Sequence, residues 1–304
     1  MPSPTYASRT VAATRARRAL AWPVAFWKRL RRADVMLYAA AVAFNSFFAL
    51  VPLLLVAVAA ASLLGRDVDA LDRTLESVEI FAPAAVTDVI RDIIVDVDAQ
   101  LDGRQNLLVV IGVAASLFIG SRAVVAMQRA LARVEGQAEY RPRWEVRLTA
   151  IALTLAAGTA LVGTTILLVI GGAFSDFIED KTGVGFLASL FEYLRIPLAS
   201  LGLFVFLRVF YHWGPPDPIP ATGTAALVGT AGTVGASLLF GLYLQNAATL
   251  GTTVGALGGV AFALLWLYIG ALATIVGAAA VTNVWRYRET GELPTVGTHP
   301  SAGP

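Results

Sequence analysis

The chain has 304 residues, of which 57% are apolar and only 14% charged, where an ordinary soluble domain carries about 25% charge. A soluble fold of this size has no core large enough for so much hydrocarbon, so lipid is the solvent for much of the chain and an integral membrane protein is expected. There is no Cys, and the two His are His212 and His299, which excludes disulfides, thiolate nucleophiles, Cys/His zinc sites and iron–sulfur clusters; the net charge of +2 is informative only through its distribution.

Residues 1–33 hold Arg9, Arg15, Arg17, Arg18, Lys28, Arg29, Arg31 and Arg32 with no acid, and Trp22, Phe26 and Trp27 lie among them. This pattern predicts a basic amphipathic leader lying on an anionic inner leaflet. A nucleic-acid-binding segment is the second reading, disfavoured because an apolar span follows at once. The leader is also too long, and the run after it too extended, for a signal peptide.

Six apolar stretches follow, each long enough for a hydrocarbon core of about 30 Å, which takes about 20 helical residues. They run Val35–Leu64, Leu107–Met127, Leu148–Phe174, Leu194–Tyr211, Ala221–Ala247 and Val254–Asn283. The expected fold is therefore all-α: a six-helix transmembrane domain over residues 34–285, after the leader and before a tail. The tail, residues 286–304, is rich in Gly, Pro and Thr and is expected to be disordered.

The first loop is more than a connector. Val68, Leu71, Leu75 and Val78, and then Val89, Ile90, Ile93, Ile94 and Val97, recur at helical spacing, with acids on the other faces. They predict an amphipathic helical hairpin over 66–104. Its Asp88, Asp92 and Asp96 are spaced so that they could face one cation, but such a ladder is ordinarily a solvated face. The same loop has ten acids against four Arg, whereas residues 122–147 have six Arg against three Glu, and Arg286 and Arg288 follow the last span. The positive-inside rule then puts both termini and 122–147 in the cytoplasm and the hairpin outside.

Polar and breaking residues within the spans are the candidate sites. Asn45 and Ser46 precede Pro52, which removes a backbone donor and frees a carbonyl; the pattern fits either a broken helix beside a substrate path or a kinked packing helix with one interhelical hydrogen bond. Glu192 and Arg195 share a helix face, and with Pro197 close behind, the fourth helix is expected to begin near Leu194, which leaves the pair at the outer interface. Gly251, Gly255 and Gly259 enter the last span and Gly229, Gly232 and Gly235 mark the fifth, a pattern that suits close helix packing first and a flexing gate second. Tyr243, Gln245, Asn246 and Tyr268 are placed to line a polar cleft there, and Trp266 and Trp285 are read as interface anchors.

Several of these stretches together resemble the YihY / virulence factor BrkB family, long labelled ribonuclease BN-like. The first is Ala39 to Leu53, with its Phe44-Asn45-Ser46-Phe47-Phe48 segment before Pro52. Next come Ser121-Arg122, Ala130-Leu131, Gly136, Arg141-Pro142 and Trp144. The last are Phe240-Gly241-Leu242-Tyr243-Leu244, Gly255, Gly258, Leu265-Trp266-Leu267-Tyr268 and Gly277. Two positions depart from the family pattern: Val254 stands where Tyr is frequent before Gly, and Ala279 where an acid is frequent. The resemblance implies a six-helix inner-membrane protein for which export, including that of envelope lipids, has been suggested.

The residue content does not support the nuclease label, because a His-rich two-metal site needs more histidines than this chain has. No phosphate-binding loop, catalytic triad or buried carboxylate pair is present either. The expected function is transporter-like, for an amphiphile, with no cofactor, no metal and no nucleic acid; membrane lipids and a second copy of the chain are the expected partners. The competing reading is a scaffold acting through its outer hairpin. A transport path would run between Asn45–Pro52 and the Gly-rich fifth and sixth helices.

Overall fold

The computed structural model describes residues 23–63, 105–160, 186–246 and 248–290. The expected outer hairpin 66–104, with its Asp ladder, lies outside them, as do the second half of the expected third span and the tail beyond 290. The described residues form seven helices and no strand. They are α1 (Pro23–Arg32), α2 (Val35–Leu63), α3 (Gln105–Glu135), α4 (143–160), α5 (Phe186–Trp213), α6 (Thr222–Asn246) and α7 (Ala248–Thr290).

Four stretches are long and apolar enough to cross a membrane: Val110–Glu135, Ile196–Trp213, Thr222–Leu244 and Gly258–Glu289. A fifth is counted if α1 and Val35–Leu50, bent by 56°, are one span. Composition assigns the crossing to α2, whose 29 residues carry no charge, while α1 holds Lys28, Arg29, Arg31 and Arg32. Six spans were expected; the third is described only to residue 160. Phe44, Phe48, Ile111, Phe118, Leu155, Leu201 and Leu239 are exposed on the helix surfaces, as they must be where the outer solvent is lipid.

Several polar side chains of the spans bond within their own helix. Asn45 Nδ2 donates to the Ala41 carbonyl (2.7 Å), Thr154 Oγ1 to Ala150 (2.7 Å), Ser200 Oγ to Ile196 (2.7 Å) and Thr282 Oγ1 to Ala278 (3.1 Å), each one turn back along its own helix. Without water, this is the cheapest place for such donors.

The extents of α5 and α7 differ from the sequence reading. The fourth helix begins at Phe186, not near Leu194, and continues through Pro197. A proline costs a helix one hydrogen bond and its neighbours can absorb the bend, so Pro197 does not end the run. Pro52 likewise lies inside the continuous α2. At the other end of the chain, α7 is one helix of 43 residues that reaches Thr290, so the first residues assigned to the tail are helical. About 65 Å long at 1.5 Å per residue, α7 outreaches the hydrocarbon core.

One end of the bundle is tied together by its turns. Gly136 (φ +69°) closes α3 in a Schellman cap: its N–H donates to Arg133 O (3.2 Å) and the Gln137 N–H to Ala132 O (2.8 Å). The α3–α4 turn then grips the α5–α6 turn. Gln137 Nε2 donates to Asp217 O (3.0 Å), Tyr140 Oη to Pro216 O (2.9 Å) and Arg141 Nη2 to Gly214 O (3.1 Å).

Candidate functional site

The seven helices pack unevenly. α2 packs on α3 and α7, and α6 packs on α5 and α7, but α5 has no comparable contact with α2 or α3. A cavity of about 850 Å³ occupies that gap. Val42, Ser46 and Leu50 of α2, Leu117 and Met127 of α3, Leu155 of α4 and Phe206 and Phe210 of α5 are among its walls. No charged residue lines it among the described residues; its polar groups are Ser46, Ser116, Thr154, Thr159 and Thr274. The hydroxyls of Ser116, Thr154 and Thr274 donate to carbonyls of their own helices, so the walls present chiefly hydrocarbon.

The opposite side of the bundle has no such room. A Cβ built on Gly277 would lie 3.0 Å from the Gly229 Cα, so α6 and α7 touch backbone to backbone there. A Cβ on Gly229 would meet the Tyr211 hydroxyl at 2.6 Å. Tyr211, fully buried, passes from α5 across Gly229 and donates its hydroxyl to the Thr274 carbonyl of α7 at 2.8 Å. Thr274 also faces Thr233 (Oγ1···Oγ1 3.3 Å), and Trp266 Nε1 donates to Ser237 Oγ at 3.0 Å. Trp266, read from sequence as an interface anchor, thus also joins α6 to α7.

A buried charged clasp closes the end where the turns meet. Arg29 of α1 donates through Nε to Val134 O (2.7 Å) and through Nη1 to Asn283 Oδ1, and its Nη2 lies 3.6 Å from Glu135 Oε2. Arg286 of α7 reaches the same Glu135 oxygen at 3.1 Å and the Glu135 carbonyl at 3.1 Å. The Glu135 side chain is fully buried and Arg29 nearly so. A buried carboxylate is tolerable only when paired and hydrogen-bonded, and here two guanidinium groups, one from each end of the chain, supply the pairing. α1 is therefore held against protein through Arg29 and Leu30, while Trp27, Lys28, Arg31 and Arg32 face outward.

The family model described as "Virulence factor BrkB" matches residues 26–297. The chain belongs to the BrkB family. With its apolar helices, it is a multi-pass membrane protein. A curated relative, the putative ribonuclease-like protein YfkH of Bacillus subtilis (strain 168), is 26% identical over 209 residues, covering 68% of this chain and 75% of the relative. No solved structure matches the chain.

Within this BrkB chain the sequence candidates are scattered. Ser46 lines the cavity, while Asn45, on the adjacent face of α2, lines a second, smaller recess. Tyr243 is half exposed, its ring stacked on Phe240 with centroids 6.2 Å apart, and Tyr268 packs against the core. Among the described residues of the fifth and sixth expected spans, only Thr274 reaches the cavity. Gly259 is half-buried in α7. Glu192 and Arg195 fall in α5 just before its apolar stretch begins at Ile196; their side chains, and those of Gln245, Asn246 and the Gly255 turn, lie outside the described residues. Arg29, Glu135, Asn283 and Arg286 were not singled out from sequence. The one signal for them was an acid, Glu135, amid the Arg of the segment 122–147.

Proposed function

We propose that this chain is a transporter-like protein of the plasma (inner) membrane that takes an amphiphile into the cavity between α2, α3, α4 and α5. The observation that carries this reading is the cavity itself, whose size falls in the range of small-molecule sites and whose hydroxyl-dotted apolar walls suit an acyl or similar chain better than an ion. The clasp end is the cytoplasmic one. The basic α1, the Arg-rich segment 122–147 around the α3–α4 turn and the end of α7 meet there, and the positive-inside rule favours that side. RNA cleavage is not part of the proposal, because two histidines do not furnish a His-rich two-metal site.

The test is movement of a fluorescent phospholipid analogue between leaflets of liposomes carrying the purified chain. Ala157→Phe, which places a ring in the cavity, is expected to slow the movement about tenfold or more, the loss of a binding mode worth about 1.4 kcal/mol, while thermal stability is retained. Movement no faster than in protein-free liposomes, or unaffected by Ala157→Phe, sinks the reading. Orientation is checked separately with Ala138→Cys, at an exposed position of the α3–α4 turn. It should resist an impermeant thiol reagent on intact cells and react after lysis.

A further inference from the structure

A second recess, of about 390 Å³, lies against α2, α3 and α4 and shares no residue with the cavity. Tyr38 and Asn45 of α2, Arg122 and Arg129 of α3 and Arg147 of α4 line it, with no acid among the described lining residues. Arg122 and Arg129 are seven apart and so share a face of α3. Arg147 crosses from α4 to donate its Nη2 to the Phe118 carbonyl at 3.2 Å. The guanidinium groups of Arg147 and Arg122 both sit over the Phe118 ring, 4.8 Å and 5.7 Å from its centroid. One aromatic ring thus holds two cations side by side, with a third about two helical turns along α3.

Three of the acids are paired elsewhere. Among the described residues, Asp34 pairs with Arg133, Glu135 with Arg29 and Arg286, and Glu139 with Arg141. Among the described residues no ion pair joins Arg122, Arg129 or Arg147 to a carboxylate, although Glu139 acts on Arg129 electrostatically from beyond pairing distance. Guanidinium groups so gathered repel one another unless an anion joins them. Arg122 and Arg129 are exposed on a membrane-spanning helix, so that anion is to be sought among the neighbouring lipids. A guanidinium fork matches phosphate oxygens two at a time, and basic recesses on the cytoplasmic side of a bundle suit anionic head groups.

We propose that the Arg122, Arg129 and Arg147 recess is a binding site for the phosphate of an anionic lipid headgroup. The site goes beyond the cavity's proposed role, since it concerns occupancy and not movement, and it stands if the chain transports nothing. Free inorganic phosphate offers the same chemistry and is the second source to be distinguished.

The experiment uses the full chain purified in a non-ionic detergent and scores bound lipid by native mass spectrometry. The probes are phosphatidylglycerol, phosphatidylcholine and inorganic phosphate. Phosphatidylglycerol should be retained in preference to phosphatidylcholine. Arg122→Gln with Arg129→Gln should weaken that retention about tenfold, as expected on losing two charge-assisted contacts. Arg32→Gln, an exposed cation outside the recess, should change it less than about twofold. The single Arg129→Gln variant, at an exposed position where folding is not at stake, should lose about threefold by the same reasoning. Displacement of the lipid by millimolar inorganic phosphate would keep the phosphate site and assign it to the soluble ion. Equal phosphatidylglycerol retention in parent and double variant, or phosphatidylcholine bound as tightly, would overturn the proposal.

Discussion

The two sides of the bundle are made of similar residues and do different things with them. On the α6–α7 side, Gly229 and Gly277 bring two backbones into contact and Tyr211 pins a third helix across them. On the α2–α5 side, Gly158 also lies on a helix, yet nothing stands within 4 Å of where its Cβ would be, and it borders the cavity. The difference is one of registration, not composition. A glycine permits close approach but does not compel it; a partner glycine at the same level turns permission into contact. Thr274 belongs to both sides, because its carbonyl takes the Tyr211 hydroxyl while the residue also borders the cavity. A guest entering the cavity would therefore press on the rigid seam at that residue.

The clasp holds the two sides together and should give the largest effect. Glu135 ends a helix of the cavity side and Arg286 belongs to the packed side, with Arg29 against both. Glu135→Ala takes the counter-charge from the buried Arg29 guanidinium and is expected to cost about 3 kcal/mol or more. The check is thermal unfolding in detergent, with Glu139→Ala as an exposed control that should lose under about 1 kcal/mol. Equal losses in the two variants would mean that the sides are not joined there.

A matched glycine pair tests the comparison itself. Gly229→Ala forces a methyl against the Tyr211 hydroxyl at 2.6 Å and is expected to destabilise by about 2 kcal/mol. Gly158→Ala adds the same methyl to open space and should stabilise by about 0.5–1 kcal/mol through helix propensity. Differential scanning of both proteins in one detergent reads the sign. If both are destabilising, the cavity side is as closely packed as the other and the gap is not real.

Much of the fold was legible because the hydrophobic signal is local: an uncharged run of 29 residues such as α2 announces itself. The beginning of α5 was misread because Pro197 was given the weight it has in a soluble helix, where water competes for the freed carbonyl. In lipid no competitor exists and the helix runs through. The clasp was illegible for another reason. Arg29, Glu135 and Arg286 are separated by more than a hundred residues, and each by itself reads as an ordinary charge of an inward-facing segment. The Gly229–Gly277 contact was half legible: small residues marked both helices, but their relative height is set by packing that no local pattern records. Ser46 was found for its polarity, and it lines the cavity, yet the helices opposite it were not those expected.

The smallest effect concerns the turns that tie the sides together. Arg141 grips Glu139 through Nε (2.9 Å) and Nη2 (3.0 Å), and that same Nη2 donates to Gly214 O. Its hydrogen bonds hold the Glu139 carboxyl below the usual carboxylate range. A carboxyl whose folded pKa is depressed stabilises the fold above its unfolded pKa, about 4.3, and that contribution is lost as pH falls through the lower folded value. The pair is partly exposed (side chains 9% and 36%), so the contribution should be no more than about 0.5 kcal/mol. Glu139→Gln should accordingly unfold at a slightly lower temperature than the parent at pH 7, and the gap should close as the pH is taken below about 4. A gap that persists undiminished at pH 3 would show that the carboxylate charge is not what orders Arg141. The tie to Gly214 would then stand on the guanidinium and the Gln137–Asp217 and Tyr140–Pro216 contacts alone.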